Sequence, residues 1–118
     1  MTKPVAFIVE DDSKLNKIAV ITLQADFEIE SFMEGDAAIA RLEQAVPNIL
    51  VLDLNIPGIS GAEILRKIRT DARFAKTRVI LTTADERQAE TLTEEADIVL
   101  LKPVSPGQLR ELALRMSK

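Results

Sequence analysis

Residues 49–61 of the chain read ILVLDLNIPGISG. The run from Ile49 to Leu52 is apolar without interruption, which is typical of a strand covered by helices on both faces of a parallel sheet. Asp53 follows where that strand would end, and Pro57 and Gly58 favour a turn soon afterwards. Further apolar runs lie at Val5 to Val9, Val79 to Leu81 and Ile98 to Leu101. The pattern predicts a buried parallel sheet with polar residues at its strand ends.

A fifth strand and the intervening helices have different patterns. Phe27 to Glu30 alternates apolar and acidic residues, which predicts a strand near residues 27–32 at the margin of the sheet, with one face partly wet. Helical spacing of apolar residues occurs between the strands, for example at Leu109, Leu112, Ala113 and Met116. The strict alternation predicts an α/β fold of the (βα)5 type, with a five-stranded parallel sheet, right-handed crossovers and helices on both faces.

Three helix starts are visible in the sequence. Ser13 is predicted to cap a helix that runs through Leu23, and the segment from Glu34 to Asp36 opens the next helix. Ser105 precedes Pro106, which places proline at a favoured position in the first turn of the last helix.

The composition excludes several classes of function. With 118 residues, the chain has room for one domain of ordinary size. It has no cysteine and no histidine, so we expect any metal to be bound by oxygen atoms. The net charge of -4 argues against binding to nucleic acid through this domain. Its apolar runs are far shorter than the ~20 residues of a membrane span, and no secretory pattern is present at the start, so we expect a cytoplasmic protein without membrane contact.

Charged residues follow three of the predicted strands. Glu10, Asp11 and Asp12 come after the first strand, Asp53 after the third, and Lys102 after the fifth. In an open parallel sheet all carboxyl ends lie along one edge, so these groups are expected to meet there. Magnesium is commonly bound by one or two carboxylates together with phosphate oxygens and water. The pattern therefore predicts a site for a hard cation and a phosphoryl group.

Each motif also has a simpler interpretation. The acidic triplet at 10–12 fits a solvated loop or the first turn of a helix, where negative charge is favoured. The segment from Asp53 to Gly58 fits turn chemistry alone, and Lys102 fits an ordinary strand exit. The joint occurrence of all three at one sheet edge favours the functional interpretation.

Four motifs together resemble the receiver domain of two-component response regulators, in order and spacing and over essentially the whole chain. They are Phe7 to Asp12, Leu50 to Gly61, Val79 to Ala84 and Leu101 to Pro103. The resemblance implies one receiver domain over residues 1–118, with a flavodoxin-like sheet in the order 2-1-3-4-5. It also implies that the protein is not an enzyme beyond its own phosphorylation and dephosphorylation.

The resemblance implies a magnesium site. Asp11 would ligate Mg²⁺ directly, Asp53 would share it, the main-chain carbonyl of Asn55 would complete the protein ligands, and Glu10 would act mainly through a ligand water. Asp53 would accept the phosphoryl group from a histidine kinase, from a phosphotransfer protein or from a small acyl phosphate. Lys102 would pair with the phosphoryl oxygens and Thr83 would hydrogen-bond to them, while the peptide bond before Pro103 is expected to be cis.

Two features depart from the pattern of the family. Val99 stands three residues before Lys102, where the family often has an aromatic residue that changes rotamer with the threonine. Thr83 and Lys102 are 19 positions apart, about one helical turn fewer than the resemblance leads us to expect, so the helix between them should be short. The dimer of the family commonly uses this helix, so we expect a monomer.

Three functions remain in view. The first is a phosphorylation-controlled module that switches its binding to an unknown downstream protein. The second is a degenerate receiver that serves as a phosphorylation-independent scaffold. The third is an aspartyl-phosphate phosphatase, which is disfavoured because Asn55 stands where such enzymes have a second acid. By resemblance, the kinase should dock near residues 13–18 and 103–107, and Asn55 and Asp85 should influence access of water.

Overall fold

The computed structural model describes residues 2–118; Met1, the first residue of the predicted 1–118 domain, lies outside the described residues. Strands and helices alternate along the chain. The strands are β1 (Val5–Val9), β2 (Glu28–Phe32), β3 (Ile49–Asp53), β4 (Arg78–Thr83) and β5 (Ile98–Leu101). The helices are α1 (Ser13–Leu23), α2 (Gly35–Leu42), α3 (Gly61–Arg69), α4 (Glu86–Leu92) and α5 (Pro106–Met116), with a 3₁₀ turn at Ala72–Phe74.

All five strands are parallel and lie in the order β2-β1-β3-β4-β5. This order confirms the predicted fold class, and β2 lies at the margin of the sheet as its alternating sequence indicated. The carboxyl ends of β1, β3 and β5 therefore open on the same edge. Asp53 pairs with Thr82 across β3 and β4, and Thr83 pairs with Leu101 across β4 and β5.

Side chains of the strands alternate between two cores. In β3, Leu50 and Leu52 face the core that contains buried residues of α2, α3 and α4, whereas Ile49 and Val51 face the core formed with α1 and α5. The helices thus cover both faces of the sheet, which explains why the central strands are apolar at every position. Among residues 2–118 no helix has the length and apolar character that a membrane crossing requires.

The start of α1 differs from the prediction that Ser13 caps this helix. Asp12 is the capping residue, since its carboxylate accepts hydrogen bonds from the backbone N–H groups of Lys14 at 2.9 Å and Leu15 at 3.1 Å. Ser13 is already the first helical residue. The last acid of the triplet is thereby used for helix capping, which leaves Glu10 and Asp11 for other roles. At α5 the prediction is confirmed, because Ser105 caps the helix and Pro106 is in its first turn.

Two glycines bring backbone segments close to the strand ends. A Cβ atom on Gly61 would overlap the backbone oxygen of Asp53, so the start of α3 packs directly against the end of β3. A Cβ atom on Gly35 would overlap the backbone oxygen of Ile59. Neither position accepts a larger residue without movement of the backbone. The two glycines therefore allow the neighbouring segments to pack closely against the loop after Asp53.

Candidate functional site

The site lies at the carboxyl edge of the sheet, where Lys102 bridges two carboxylates. Lys102 Nζ lies 2.8 Å from Glu10 Oε1 and 3.0 Å from Asp53 Oδ2. Glu10 directly follows β1, Asp53 ends β3 and Lys102 directly follows β5. The lysine side chain reaches past β4 to make these contacts, so three strands contribute to one charged cluster.

Asp11 adds a third carboxylate. Glu10, Asp11 and Asp53 each offer an oxygen atom, and these atoms all lie within 4.8 Å of one another. Glu10 and Asp53 are buried, whereas Asp11 is exposed. One ammonium group neutralises only part of the charge of three carboxylates, and their hard oxygen donors are of the kind that magnesium prefers. The residues present therefore fit a divalent cation.

Burial and mutual contact perturb the charged groups of the cluster. Burial raises the pKa of Glu10 above its ordinary value of 4.5; the contact with Lys102 and the backbone N–H of Asp12 act against this rise, and the neighbouring Asp53 adds to it. Burial by itself would lower the pKa of Lys102, but the hydrogen bonds and charges of Glu10 and Asp53 outweigh it and raise that pKa above 10.5. The lysine is therefore a permanent cation in this cluster at neutral pH.

Asn55 lies against the aspartate two residues before it. Its backbone N–H donates a hydrogen bond of 3.1 Å to Asp53 Oδ1, while its side-chain Nδ2 donates to Gln88 Oε1 at 3.4 Å. Both oxygens of Asp53 are thus held, one by the backbone of Asn55 and the other by Lys102. The main-chain carbonyl of Asn55 as a metal ligand stays a prediction.

Thr83 lies at the end of β4 with its hydroxyl group directed to α4. The residue is fully buried. Its hydroxyl group donates to Gln88 Oε1 at 3.3 Å and accepts from the backbone N–H of Asp85 at 3.1 Å. The structure therefore brings Glu10, Asp11, Asp53 and Lys102 into one cluster, and it places Thr83 on the neighbouring strand with its hydroxyl bound to the start of α4.

Two expectations about the segment around Lys102 agree with the structure. The peptide bond between Lys102 and Pro103 is cis. The helix between Thr83 and Lys102 is short, since α4 has seven residues. Val99 is partly buried and packs against the core that contains buried residues of α2, α3 and α4.

Sequence reasoning missed Asn16 and Gln88. Asn16 is buried, and its Nδ2 donates to the backbone oxygens of Glu10 at 3.0 Å and Phe32 at 3.2 Å, which ties α1 to the ends of β1 and β2. Its signal was a polar residue on the same helical stripe as Ala19 and Leu23. Gln88 carried no such signal, because it is an exposed polar residue of a helix.

A cavity of about 330 Å³ adjoins the cluster on the side of α1 and α5. Glu10, Thr82 and Lys102 form its polar end. The rest of its lining comes from α1, from the loop after β5 and from α5: Leu15, Ile18, Ala19, Thr22, Pro103, Val104, Pro106 and Leu109. Leu15 and Ile18 are 40% and 46% exposed, so the cavity is bordered by apolar surface that water reaches.

Comparison with known proteins identifies relatives over nearly the whole chain. The family described as the response regulator receiver domain matches residues 6–114. The phosphate regulon transcriptional regulatory protein PhoB of Rhizobium meliloti is 33% identical over 110 residues, which cover 90% of this chain and 48% of PhoB. The chemotaxis protein CheY1 of Helicobacter pylori is 28% identical over 111 residues, which cover 88% of this chain and 89% of CheY1.

Solved structures agree with these sequence relatives. The structure of the chemotaxis response regulator CheY4 of Vibrio cholerae superposes with a TM-score of 0.87 at 25% identity, covering 98% of this chain and 99% of CheY4. This chain spans about half the length of PhoB but most of the length of the chemotaxis proteins.

Proposed function

The chain belongs to the family of response regulator receiver domains, and from this premise we propose that Asp53 accepts a phosphoryl group in a magnesium-dependent reaction. The observation that carries the proposal is the contact of Lys102 with both Glu10 and Asp53, within a cluster of three carboxylates. Receiver domains act in two-component signalling with histidine kinases or phosphotransfer proteins. In this proposal residues 1–118 form one such domain.

The three clustered carboxylates and the main-chain carbonyl of Asn55 would hold the magnesium ion. Asp11 and Asp53 are its direct ligands in this proposal, and Glu10 acts through a ligand water. When bound, the ion supplies positive charge that offsets the repulsion between these carboxylates and an incoming phosphoryl group. The exposed position of Asp11 leaves one side of the cluster open to a donor.

In the transfer step, an oxygen of Asp53 attacks the phosphorus atom of the donor. A P–O bond to Asp53 forms while the bond from phosphorus to the imidazole nitrogen of a phosphohistidine, or to the acyl oxygen of a small acyl phosphate, breaks. The electron pair of the broken bond stays with the donor. Catalysis of such a step depends mainly on positioning and on stabilising negative charge.

This chain supplies both positioning and charge. The N–H group of Asn55 and the ammonium group of Lys102 fix the orientation of the Asp53 carboxylate before the reaction. Lys102 then moves its contacts to the oxygens of the phosphoryl group, to which the Thr83 hydroxyl also donates. With its pKa raised above 10.5, Lys102 stays charged throughout the physiological range.

The cavity between α1 and α5 is a suitable docking site for the phosphoryl donor. It leads from apolar surface at Leu15 and Ile18 to Glu10 and Lys102 in the charged cluster. A partner helix that carries a histidine could place its apolar side chains there and its phosphoryl group over Asp53. The resulting phosphorylated domain would switch its affinity for a downstream protein as a monomer, without contact to nucleic acid.

Intact-protein mass spectrometry tests the proposal. Wild type and Asp53→Asn are incubated with magnesium and a small acyl phosphate, and parallel samples contain EDTA. We expect one added phosphoryl group on wild type with magnesium, and none on the variant or in EDTA. No added mass on wild type, together with a melting temperature that magnesium does not change, would favour the phosphorylation-independent scaffold instead.

A further inference from the structure

Gln88 connects the ends of β3 and β4 beside the proposed phosphorylation site. Its side-chain oxygen accepts hydrogen bonds from the Thr83 hydroxyl at 3.3 Å and from Asn55 Nδ2 at 3.4 Å. Thr83 ends β4, Asn55 follows β3, and Gln88 lies in the first turns of α4. One amide oxygen on the helix thus accepts from two side chains, one at the end of β4 and one just after β3.

The contact of Gln88 with Thr83 competes with the role proposed for that threonine. A hydroxyl group has a single hydrogen to donate. In this structure it points to Gln88, whereas in the phosphorylated form it would point to an oxygen on Asp53. The two hydrogen bonds exclude each other, so the phosphorylated state requires that Thr83 releases Gln88.

The same hydroxyl also supports the start of α4. It accepts from the backbone N–H of Asp85, whose carboxylate caps the helix by accepting from the backbone N–H groups of Arg87 and Gln88. Because α4 has only seven residues, a large share of its hydrogen bonding lies in this first turn. Movement of Thr83 would therefore change the helix start directly.

We propose that Gln88 is a positioning residue that holds Thr83 and α4 in the unphosphorylated arrangement, and that its release transmits phosphorylation to α4. This inference rests on the proposed function of Asp53. It provides a route to α4 in a chain whose Val99 offers no aromatic ring to respond to Thr83. Loss of the hydrogen bond between Thr83 and Gln88 destabilises the unphosphorylated arrangement. A variant without the Gln88 acceptor should therefore adopt the activated arrangement more easily.

Binding of beryllium trifluoride, a mimic of the phosphoryl group, tests the inference. The probe is titrated with magnesium into ¹⁵N-labelled wild type and Gln88→Met, which keeps the length of the side chain but removes the acceptor. We expect affinity for the probe to rise about two- to tenfold, the range that loss of one neutral hydrogen bond produces. Hydrogen exchange of the α4 amides without the probe should be faster in Gln88→Met than in wild type.

Three further variants separate this role from a general effect on folding. Gln88→Glu retains an acceptor oxygen, so its α4 amides should exchange like those of wild type. Arg87→Ala changes the neighbouring exposed residue and should leave affinity for the probe unchanged. In a Thr83→Val background, which lacks the hydroxyl, Gln88→Met should alter affinity much less than in wild type, because only its contact with Asn55 remains to be lost.

The outcomes distinguish the two proposals. If wild type does not bind beryllium trifluoride at all, the proposed function of Asp53 fails and the inference fails with it. If wild type binds the probe but Gln88→Met leaves both affinity and α4 exchange unchanged, only the role of Gln88 is refuted. The role of Gln88 would also be refuted if Gln88→Met changed affinity for the probe by the same factor in the Thr83→Val background as in wild type.

Discussion

Replacing Lys102 by methionine should destabilise the metal-free protein strongly. Methionine keeps most of the apolar stem of lysine but lacks the ammonium group, so Glu10 and Asp53 lose their common partner. The side chains of these acids are 10% and 3% exposed, and that of Lys102 is 22% exposed. Water therefore has little access to the two carboxylates that the substitution leaves without compensation.

The magnitude follows from the cost of a buried charge. Removal of one partner from a buried ion pair costs about 3–5 kcal/mol, and the partial exposure of Lys102 reduces this to about 2–3 kcal/mol. With an unfolding entropy of about 2.1 cal/mol/K per residue, a chain of 118 residues should then melt about 8–12 °C lower.

Thermal unfolding in EDTA, followed by far-ultraviolet circular dichroism at pH 7, measures this difference. Lys17→Met removes an exposed lysine of α1 and is the matched control, for which we expect a change within about 0.5 kcal/mol. Magnesium should raise the melting temperature of Lys102→Met more than that of wild type, because the variant carries more uncompensated negative charge.

A metal-free melting temperature of Lys102→Met within about 2 °C of wild type, well below the shift expected from the unfolding entropy, would contradict the predicted destabilisation. Such a result would mean that the contacts of 2.8 Å and 3.0 Å to Lys102 contribute no net stability. We expect a smaller loss at pH 5 than at pH 7, because burial raises the pKa of Glu10 and the variant lacks the lysine contact that opposes this rise, so more of the carboxylate is protonated as the pH falls.

Three further predictions concern the same edge of the sheet. Asp53→Asn should raise the metal-free melting temperature, by an amount that corresponds to about 1 kcal/mol, because it removes one of three clustered carboxylates and keeps an acceptor for the N–H of Asn55. Lys102 keeps Glu10 as its charged partner in this variant, so the ammonium group is not left uncompensated. A lower value in EDTA would contradict this. Since the pKa of Glu10 is raised above 4.5, folded protein binds that proton more tightly than unfolded protein, so stability falls as pH rises through the raised pKa. Urea unfolding in EDTA should therefore show wild type gaining stability relative to Glu10→Gln between pH 7 and 4.5, and a constant difference would argue against the shift. Asn16→Leu should cost about 1–3 kcal/mol in urea unfolding, since the backbone oxygen of Glu10 loses its donor; no loss would show that water replaces the amide.

Much of the fold was predictable because the parallel sheet is buried on both faces. The bounds of β1 and β5 coincide with the apolar runs from Val5 to Val9 and from Ile98 to Leu101. The marginal position of β2 followed from its alternating sequence, and the preference for right-handed crossovers left few topologies to consider. The fold class predicted from these patterns is confirmed, and so is the strand order that the resemblance to receiver domains implied.

Helix starts were less predictable, because neighbouring residues of similar chemistry compete for the same role. Asp12 and Ser13 are both good capping residues, and local sequence does not decide between them. The structure selects Asp12, whose extended backbone allows its carboxylate to reach two N–H groups of α1. That choice also explains why only the first two acids of the triplet belong to the charged cluster.

The charged cluster was predictable from strand ends, whereas the orientation of its neutral neighbours was not. Register alone places Glu10, Asp53 and Lys102 along one edge. The direction of the Thr83 hydroxyl depends instead on the side chain of Gln88, whose position in the short α4 follows from tertiary packing. An exposed glutamine has the same appearance in sequence whether it faces solvent or a buried hydroxyl.

The most direct test of the account is to identify the residue that carries the phosphoryl group. Protein incubated with magnesium and a small acyl phosphate is treated with borohydride, which reduces an aspartyl phosphate to homoserine, and the peptides are then sequenced by mass spectrometry. We expect homoserine at position 53 in wild type and at no position in samples that contained EDTA. Homoserine at Asp11, or a phosphoryl group on a hydroxyl residue with Asp53 unmodified, would contradict it.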